Sequence, residues 1–436
     1  MVLVFSSKVT NRIRYIFNLI INDIIGAGPI EFTTDQQKFI NYPGPKISYH
    51  SQPVSNELFF LSKTLLFDND IKDYSIDVSE WEGHKIFFPT NKISALPFDP
   101  FAASFYLLSR YEEYLPHIKD QYQRFDAEES LAFHKGFLEK PVINQWAALI
   151  KKLLEVKFPK LQFLEKKYKY ISTIDIDNAF AFKEKGFVRT TGAFIRAASQ
   201  LKFDEVYERI QVLMSNQPDP FDTYEYQFEM QRKYNLEVIY FILLADYGIN
   251  DKNVPVKSPK FQSLIKSLAD YAEVGIHPGF NSHKSSKKLK EEHSRLENIL
   301  NREVTKSRQH FLKLVLPETY RNLIDLDITD DYTMGYASKI GFRAGICSSF
   351  NFYDLDLDIE TKLKVHPFAL IDSALKYYMK IRPEIAMDYI IPVIDQVKAV
   401  NGTFISVWHN EALSEDKQWK GWRDVYEEMI KYANPK

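Results

Sequence analysis

The feature that most constrains the fold is the alternation along the second part of the chain. Short apolar, β-branched or aromatic runs (KYISTIDIDNAF, NLEVIYFILLADYG, VGIHPGF, VTKSRQHFLKL, IGFRAGICSSFNFY, KVHPFALIDS and GTFISVWHN) are interspersed with helical patterns such as FQSLIKSLADYAE and SSKKLKEEHSRLENILNRE. Parallel strands need long crossovers, and helices supply them, so alternation of this kind predicts a parallel sheet. The number of units predicts a closed or nearly closed β/α barrel, a fold in which polar residues at the C-terminal ends of the strands build the active site.

The strand ends carry such residues. Tyr170, Ile171, Ile174 and Ile176 read as a buried strand, and its period of two puts Thr173, Asp175 and Asp177 on one face. Neighbouring carboxylates repel unless a cation, a shared proton or water relieves them. Alone, the pair fits a metal or acid–base site or a solvated strand end. His277 closes VGIH, Arg308 and His310 stand two apart in SRQHF, and His409 closes SVWH. Together these groups can hold a divalent ion with three protein ligands and one open position. His283 and His293 sit among lysines and glutamates in a stretch expected to be exposed. His50, His84, His117, His134 and His366 have no accompanying ligand pattern.

A chain of 436 residues is long for one core. The boundary is expected near residue 165, after Pro159 and a lysine-rich run, giving a smaller α+β domain over 1–165 and the barrel over 166–436. In the first part, Asp99 and Pro100 look like an N-cap and N1 for an amphipathic helix in DPFAASFYLLSRYEEYL, with Glu112 and Glu113 on its solvated face. RYIFNLIINDIIGAG is too short an apolar run to span a bilayer and reads as a core helix. Basic and acidic residues number 56 and 58, for a net charge of −2, which gives no electrostatic case for nucleic-acid binding. The lone cysteine, Cys347, excludes an internal disulfide. A cytoplasmic protein is the expectation, and the oligomeric state is left open.

The order of motifs, TIDID, GIHPGF, SRQHFLK, DDYTMGYASKIGFRAG and SVWHNE, resembles the polysaccharide deacetylase family (the NodB-homology, carbohydrate esterase family 4 group) over residues 168–435. LPFDPFAASFYLLSRYEEYLPHIKDQYQRF is similar to an uncharacterised domain that precedes such domains in one bacterial branch. The resemblance implies a distorted seven-unit β/α barrel, a divalent metal with zinc as the expected ion, and removal of acetyl groups from an acetylated carbohydrate. By the same resemblance Asp175 is the general base, Asp177 and His277 are metal ligands, Arg308 orients the base, and His409 protonates the leaving group. Asp331, Tyr336 and Arg343 would contact the sugar.

The family's second ligand histidine has no counterpart at Asn281, and His283 is displaced by two positions. His310, on an apolar run whose alternation points it the same way as Arg308, is the preferred third ligand over His283. Two other readings stay open: a catalytically inactive carbohydrate-binding or scaffold protein on the same barrel, and a metal-dependent hydrolase of another amide.

Overall fold

The computed structural model describes residues 1–215 and 217–434. The N-terminal part holds a four-stranded sheet in the order β2-β1-β3-β4, with β1 Val2–Phe5, β2 Ile30–Thr33, β3 Lys46–His50 and β4 Leu58–Leu61, all paired in parallel. A two-stranded antiparallel ribbon, β5 Ser79–Trp81 and β6 His84–Ile86, follows. The apolar run near the start forms the helix Asn11–Phe17, which continues as a π-helix over Asn18–Ile24, with Ile13, Ile16, Phe17, Ile20 and Ile21 buried. No described helix is long and apolar enough to cross a membrane.

The second sheet has nine strands: β7 Lys169–Ile176, β8 Glu237–Leu243, β9 Glu273–His277, β10 Lys306–Ser307, β11 Asp330–Asp331, β12 Phe350–Asp354, β13 Ile359–Val365, β14 Leu370–Ile371 and β15 Thr403–His409. Their order is β12-β13-β11-β10-β9-β8-β7-β15-β14, parallel except for the β12–β13 pair. This ladder is open, with β12 and β14 at its edges, where a closed or nearly closed barrel was expected. One continuous stretch, 364–371, pairs with β11 at Lys364 and Val365 and with β15 at Leu370 and Ile371. Between these pairings Ala369 donates its N–H to Ile405 O at 3.1 Å. Pro367, which has no N–H to give, lies in the gap.

Three local expectations need correction. The run VTKSRQHFLKL is a strand only over Lys306–Ser307; Arg308 and His310 then continue along β9 by donating N–H to Ile276 O and Pro278 O, before a short 3₁₀ turn at His310–Leu312. IGFRAGICSSFNFY becomes a strand only from Phe350. His293 is buried, with Nε2 bonded to Val304 O at 2.7 Å, because its helix packs that side inward.

The acidic end of the first-part helix is not the solvated face expected, since Glu113 is buried. Asp99 does cap the helix, accepting from the N–H of Phe101 and Ala102, with Pro100 next. The helix ends at Leu108, however, and Arg110 takes a left-handed conformation at φ 53°. That turn carries Glu113 inward rather than to solvent. Glu113 Oε1 accepts from Arg110 Nε at 2.7 Å, and the same carboxylate is held by Arg343 through two bonds of 2.9 and 2.6 Å. Glu112 is drawn in beside it and accepts from Arg110 Nη2 at 2.8 Å.

Burial pushes the Glu113 carboxyl up, but the Arg343 and Arg110 guanidiniums outweigh it and hold its pKa down at about 2. A carboxylate with a depressed pKa stabilises the fold above its unfolded pKa, and that contribution is lost as pH falls toward the folded value. Glu113→Ala should cost about 3–5 kcal/mol, because two buried guanidiniums lose their shared partner. The denaturation midpoint is the measurement. The parent should also weaken as pH drops from about 4.5 toward 2, a decline the variant should show less steeply; equal midpoints for the two proteins at pH 7 would contradict the assignment.

Candidate active site

The registers of β15, β7, β8 and β9 set the site. His409 lies opposite Asp175, Asp175 opposite Phe241, and Leu243 opposite His277, so the polar residues leave the sheet at one edge, at the C-terminal ends of parallel strands. Asp177 follows β7 directly. After β9 the chain turns at Pro278 and Gly279, where a side chain would meet Ala245. Buried Glu292 fixes that turn by accepting from Gly279 N–H at 2.9 Å and Ser282 Oγ at 2.7 Å.

Asp177, His277 and His310 converge, with one ligand atom from each lying within 4.8 Å of the others. His277 Nε2 is 3.1 Å from Asp177 Oδ1, and His310 Nε2 is 3.2 Å from Asp177 Oδ2. The far nitrogens are already committed. His277 Nδ1 is 2.6 Å from Arg308 O, and since a carbonyl can only accept, that nitrogen carries the hydrogen. His310 Nδ1 is likewise 2.8 Å from the Asp251 carboxylate. In their neutral forms both rings therefore present an Nε2 lone pair toward Asp177, the state a metal ligand needs.

Asp177 Oδ1 is buried with no hydrogen-bond partner of good geometry, an acceptor position that a cation would satisfy. Burial pushes the Asp177 carboxyl up, but His310 and His277 hold it well below the usual range; burial pushes His310 down, but Asp177 and Asp251 lift it to about 9. These residues fit a divalent ion, whose binding would displace the imidazole proton.

Asp175 is a separate unit. Arg308, fully buried, donates from Nη1 to Asp175 Oδ1 at 2.8 Å and from Nε to Tyr332 O at 3.0 Å, with its guanidinium 4.5 Å from the Phe241 ring centre. The other oxygen, Oδ2, faces His277 Nε2 at 3.8 Å. His409 stands on the opposite side. Its Nδ1 is 2.7 Å from Asp372 Oδ1, its N–H donates to Asp372 Oδ2 at 2.8 Å, and its Nε2 is 3.6 Å from Asp177 Oδ2. Burial works against charge on His409, but Asp372, reinforced by Asp177 and Asp175, holds its pKa well above the ordinary value.

These groups line a cavity of about 520 Å³ whose walls include Tyr122, Phe311, Tyr377, Tyr378 and Trp419. Gln309 Nε2 and Trp419 Nε1, both from lining residues, are buried donors without partners. Part of the wall comes from the first part of the chain: Arg124 donates to Phe311 O at 2.7 Å and to Tyr378 Oη at 3.1 Å, and Lys313 Nζ donates to Tyr122 O at 2.7 Å.

The structure thus brings together Asp175, Asp177, His277, Arg308, His310 and His409. His283 stays outside the cluster, its Nδ1 bound to Phe280 O at 2.8 Å in a short 3₁₀ turn. Asp331, Tyr336 and Arg343, expected against the sugar, do not line the cavity. Asp331 is fully buried, accepting from Ser307, from the Thr333 hydroxyl and from the Thr333 N–H. Tyr336 accepts from Arg110, and Arg343 is the bidentate partner of Glu113. Sequence reasoning missed Asp251 and Asp372. The second had a signal, since it ends the β-rich run KVHPFALID as Asp175 and His409 end theirs; Asp251 lies in a loop and had none.

Residues 2–159 match a family model described as a family of unknown function, DUF7033. No curated protein matches the sequence. Among solved structures the chain is similar to a protein of Mycobacterium smegmatis provisionally described as a polysaccharide deacetylase, at 11% identity and a TM-score of 0.39, over 62% of this chain and 85% of that one. It is also similar to the polysaccharide deacetylase Bc1974 of Bacillus cereus, at 11% identity and a TM-score of 0.30, over 62% and 87% of the two chains. A further similarity is to BA3943 of Bacillus anthracis, a CE4 family pseudoenzyme, at 9% identity and a TM-score of 0.29, over 60% and 61%.

Proposed function

We propose that the protein is a metal-dependent hydrolase that removes acetyl groups from an acetylated sugar. The observation that carries this reading is the orientation of three imidazoles. His277, His310 and His409 each have Nδ1 occupied by a fixed oxygen, which turns Nε2 toward Asp177. Two of them complete a ligand set with Asp177, and the third stands apart with its own carboxylate. The motif order along the chain agrees, and the stretch 364–371, paired with β11 at one end and β15 at the other, supports reading the sheet as a distorted barrel.

Asp177, His277 and His310 would hold the ion. When bound, a divalent cation supplies positive charge that polarises an acyl carbonyl and makes a nearby water more acidic. Asp175 takes the proton from water: Arg308 occupies and orients Oδ1, leaving Oδ2 to accept. His409, kept protonated by Asp372, gives a proton from Nε2 to the departing nitrogen or oxygen. The aromatic walls offer faces for the apolar side of a sugar ring.

Acetate released from an acetylated glycan by metal-loaded protein, abolished by a chelator and restored by zinc, is the expected result. Bound metal with no acetate from any acetylated glycan, but hydrolysis of another amide, would favour the second enzyme reading. Glycan binding with neither metal nor hydrolysis would favour an inactive binding protein.

A further inference from the structure

Beside the loop that follows Asp177, the helices Phe187–Ser199 and Phe203–Met214 cover a second cavity of about 340 Å³. Lys185, Arg189, Arg196, Arg209 and Lys252 line it together with Asn178, and no carboxylate is among the lining residues. Like charges gathered around a shared space repel one another and are relieved by an anion. Two of them are deeply placed, Arg209 at 6% exposure and Lys185 at 8%.

The acids nearest the cavity, Asp219 and Glu411, act on Lys185 from outside its lining. Asp219 accepts the N–H groups of Ala181, Phe182 and Lys183, and Glu205 takes only Nη2 of Arg209, at 2.8 Å. Arg209 Nε is buried without any partner, while its guanidinium stacks 4.5 Å from the Phe182 ring centre. Arg189 is preset in the same way, 4.1 Å from the Tyr247 ring centre and anchored to Asn253 O and Lys252 O. Lys185 donates to Asn178 Oδ1. Burial first, then Arg189 and Arg209, pull the Lys185 ammonium down to about 7 against the opposing effect of Asp219 and Glu411.

We infer that this cavity binds a phosphoryl group. Planar guanidinium forks match the oxygens of a phosphate, and lysines supply point charge. Asn178 directly follows Asp177, so the anion site and the reactive centre share one loop. The group is either a free phosphate or diphosphate, or the phosphate of a phosphorylated acetylated sugar; the second source rests on the deacetylase reading.

Calorimetric titration of inorganic pyrophosphate into the full chain tests the site without any turnover. Arg196→Glu, at an exposed position, and Arg189→Glu should each weaken binding by at least about tenfold, the scale of a lost charge-assisted hydrogen bond, with thermal midpoints kept close to the parent's. Asp177→Asn should bind pyrophosphate as the parent does. No binding, or binding that survives both arginine variants and vanishes in Asp177→Asn, overturns the inference and places the anion on the metal centre. The two sources are separated by acetate release from N-acetylglucosamine and from its 1-phosphate. A lower KM for the phosphate, lost in Arg196→Glu, assigns the site to the substrate, and equal KM values beside intact pyrophosphate binding assign it to a free phosphate. Acetate release without pyrophosphate binding would leave the deacetylase reading standing and this one refuted.

Discussion

His310→Ala should leave the purified protein nearly free of divalent ion while the parent is expected to hold about one, whereas His283→Ala should leave occupancy unchanged. His310 Nε2 faces Asp177 at 3.2 Å, and its ring is held by Asp251. His283 is tied to Phe280 O outside the cluster. Loss of a direct ligand should lower metal affinity on the order of 10²-fold or more, at or above the 10- to 100-fold typical of the outer hydrogen-bond partners. Metal analysis after gel filtration and a zinc titration of each variant give the comparison. Asp251→Asn provides the intermediate case, since it loosens the ring but removes no ligand. The reverse ranking of the two histidines would restore His283 as the ligand and require the loop at Ser282–Lys284 to refold around the ion.

His310 shows what a sequence discloses and what it withholds. Its place in the cluster was legible because it stands two positions from Arg308, and alternate residues of an extended chain share a face. The strand invoked to justify this ends at Ser307; extended backbone bonded to β9 does the same work. The ends of β7, β9 and β15 were legible because an apolar run that stops at a charged residue has few places to put it. That Arg343 and Tyr336 lie away from this cavity was not legible, for the complementary reason. A buried ion pair and a pocket residue look alike in one sequence, and the partner that decides, Glu113, lies 230 positions away on a turn made by left-handed Arg110. Tyr122 and Arg124 were invisible as cavity residues, since nothing local shows that this loop docks on Phe311 and Lys313.

The two acids of TIDID should not be equivalent. Asp177→Asn weakens the only anionic ligand of the set and should empty the metal site. Asp175→Asn keeps the shape and the oxygen that accepts from Arg308, and the three ligands are untouched, so the ion should stay. An amide, however, cannot take a proton at neutral pH. Turnover should therefore fall by about 10²-fold or more, the scale of lost general-base help, while metal content holds. Acetate release measured beside metal content for both variants distinguishes the roles. A fully active Asp175→Asn would remove the base from the mechanism, leaving the Arg308–Asp175 pair as a buried structural tie. Metal lost from Asp175→Asn but kept in Asp177→Asn would exchange the two assignments. The pairing in the structure argues against that exchange: one oxygen of Asp175 is already held by a buried guanidinium, whereas Asp177 presents a buried oxygen without a hydrogen bond of good geometry and meets two imidazoles whose far nitrogens are fixed.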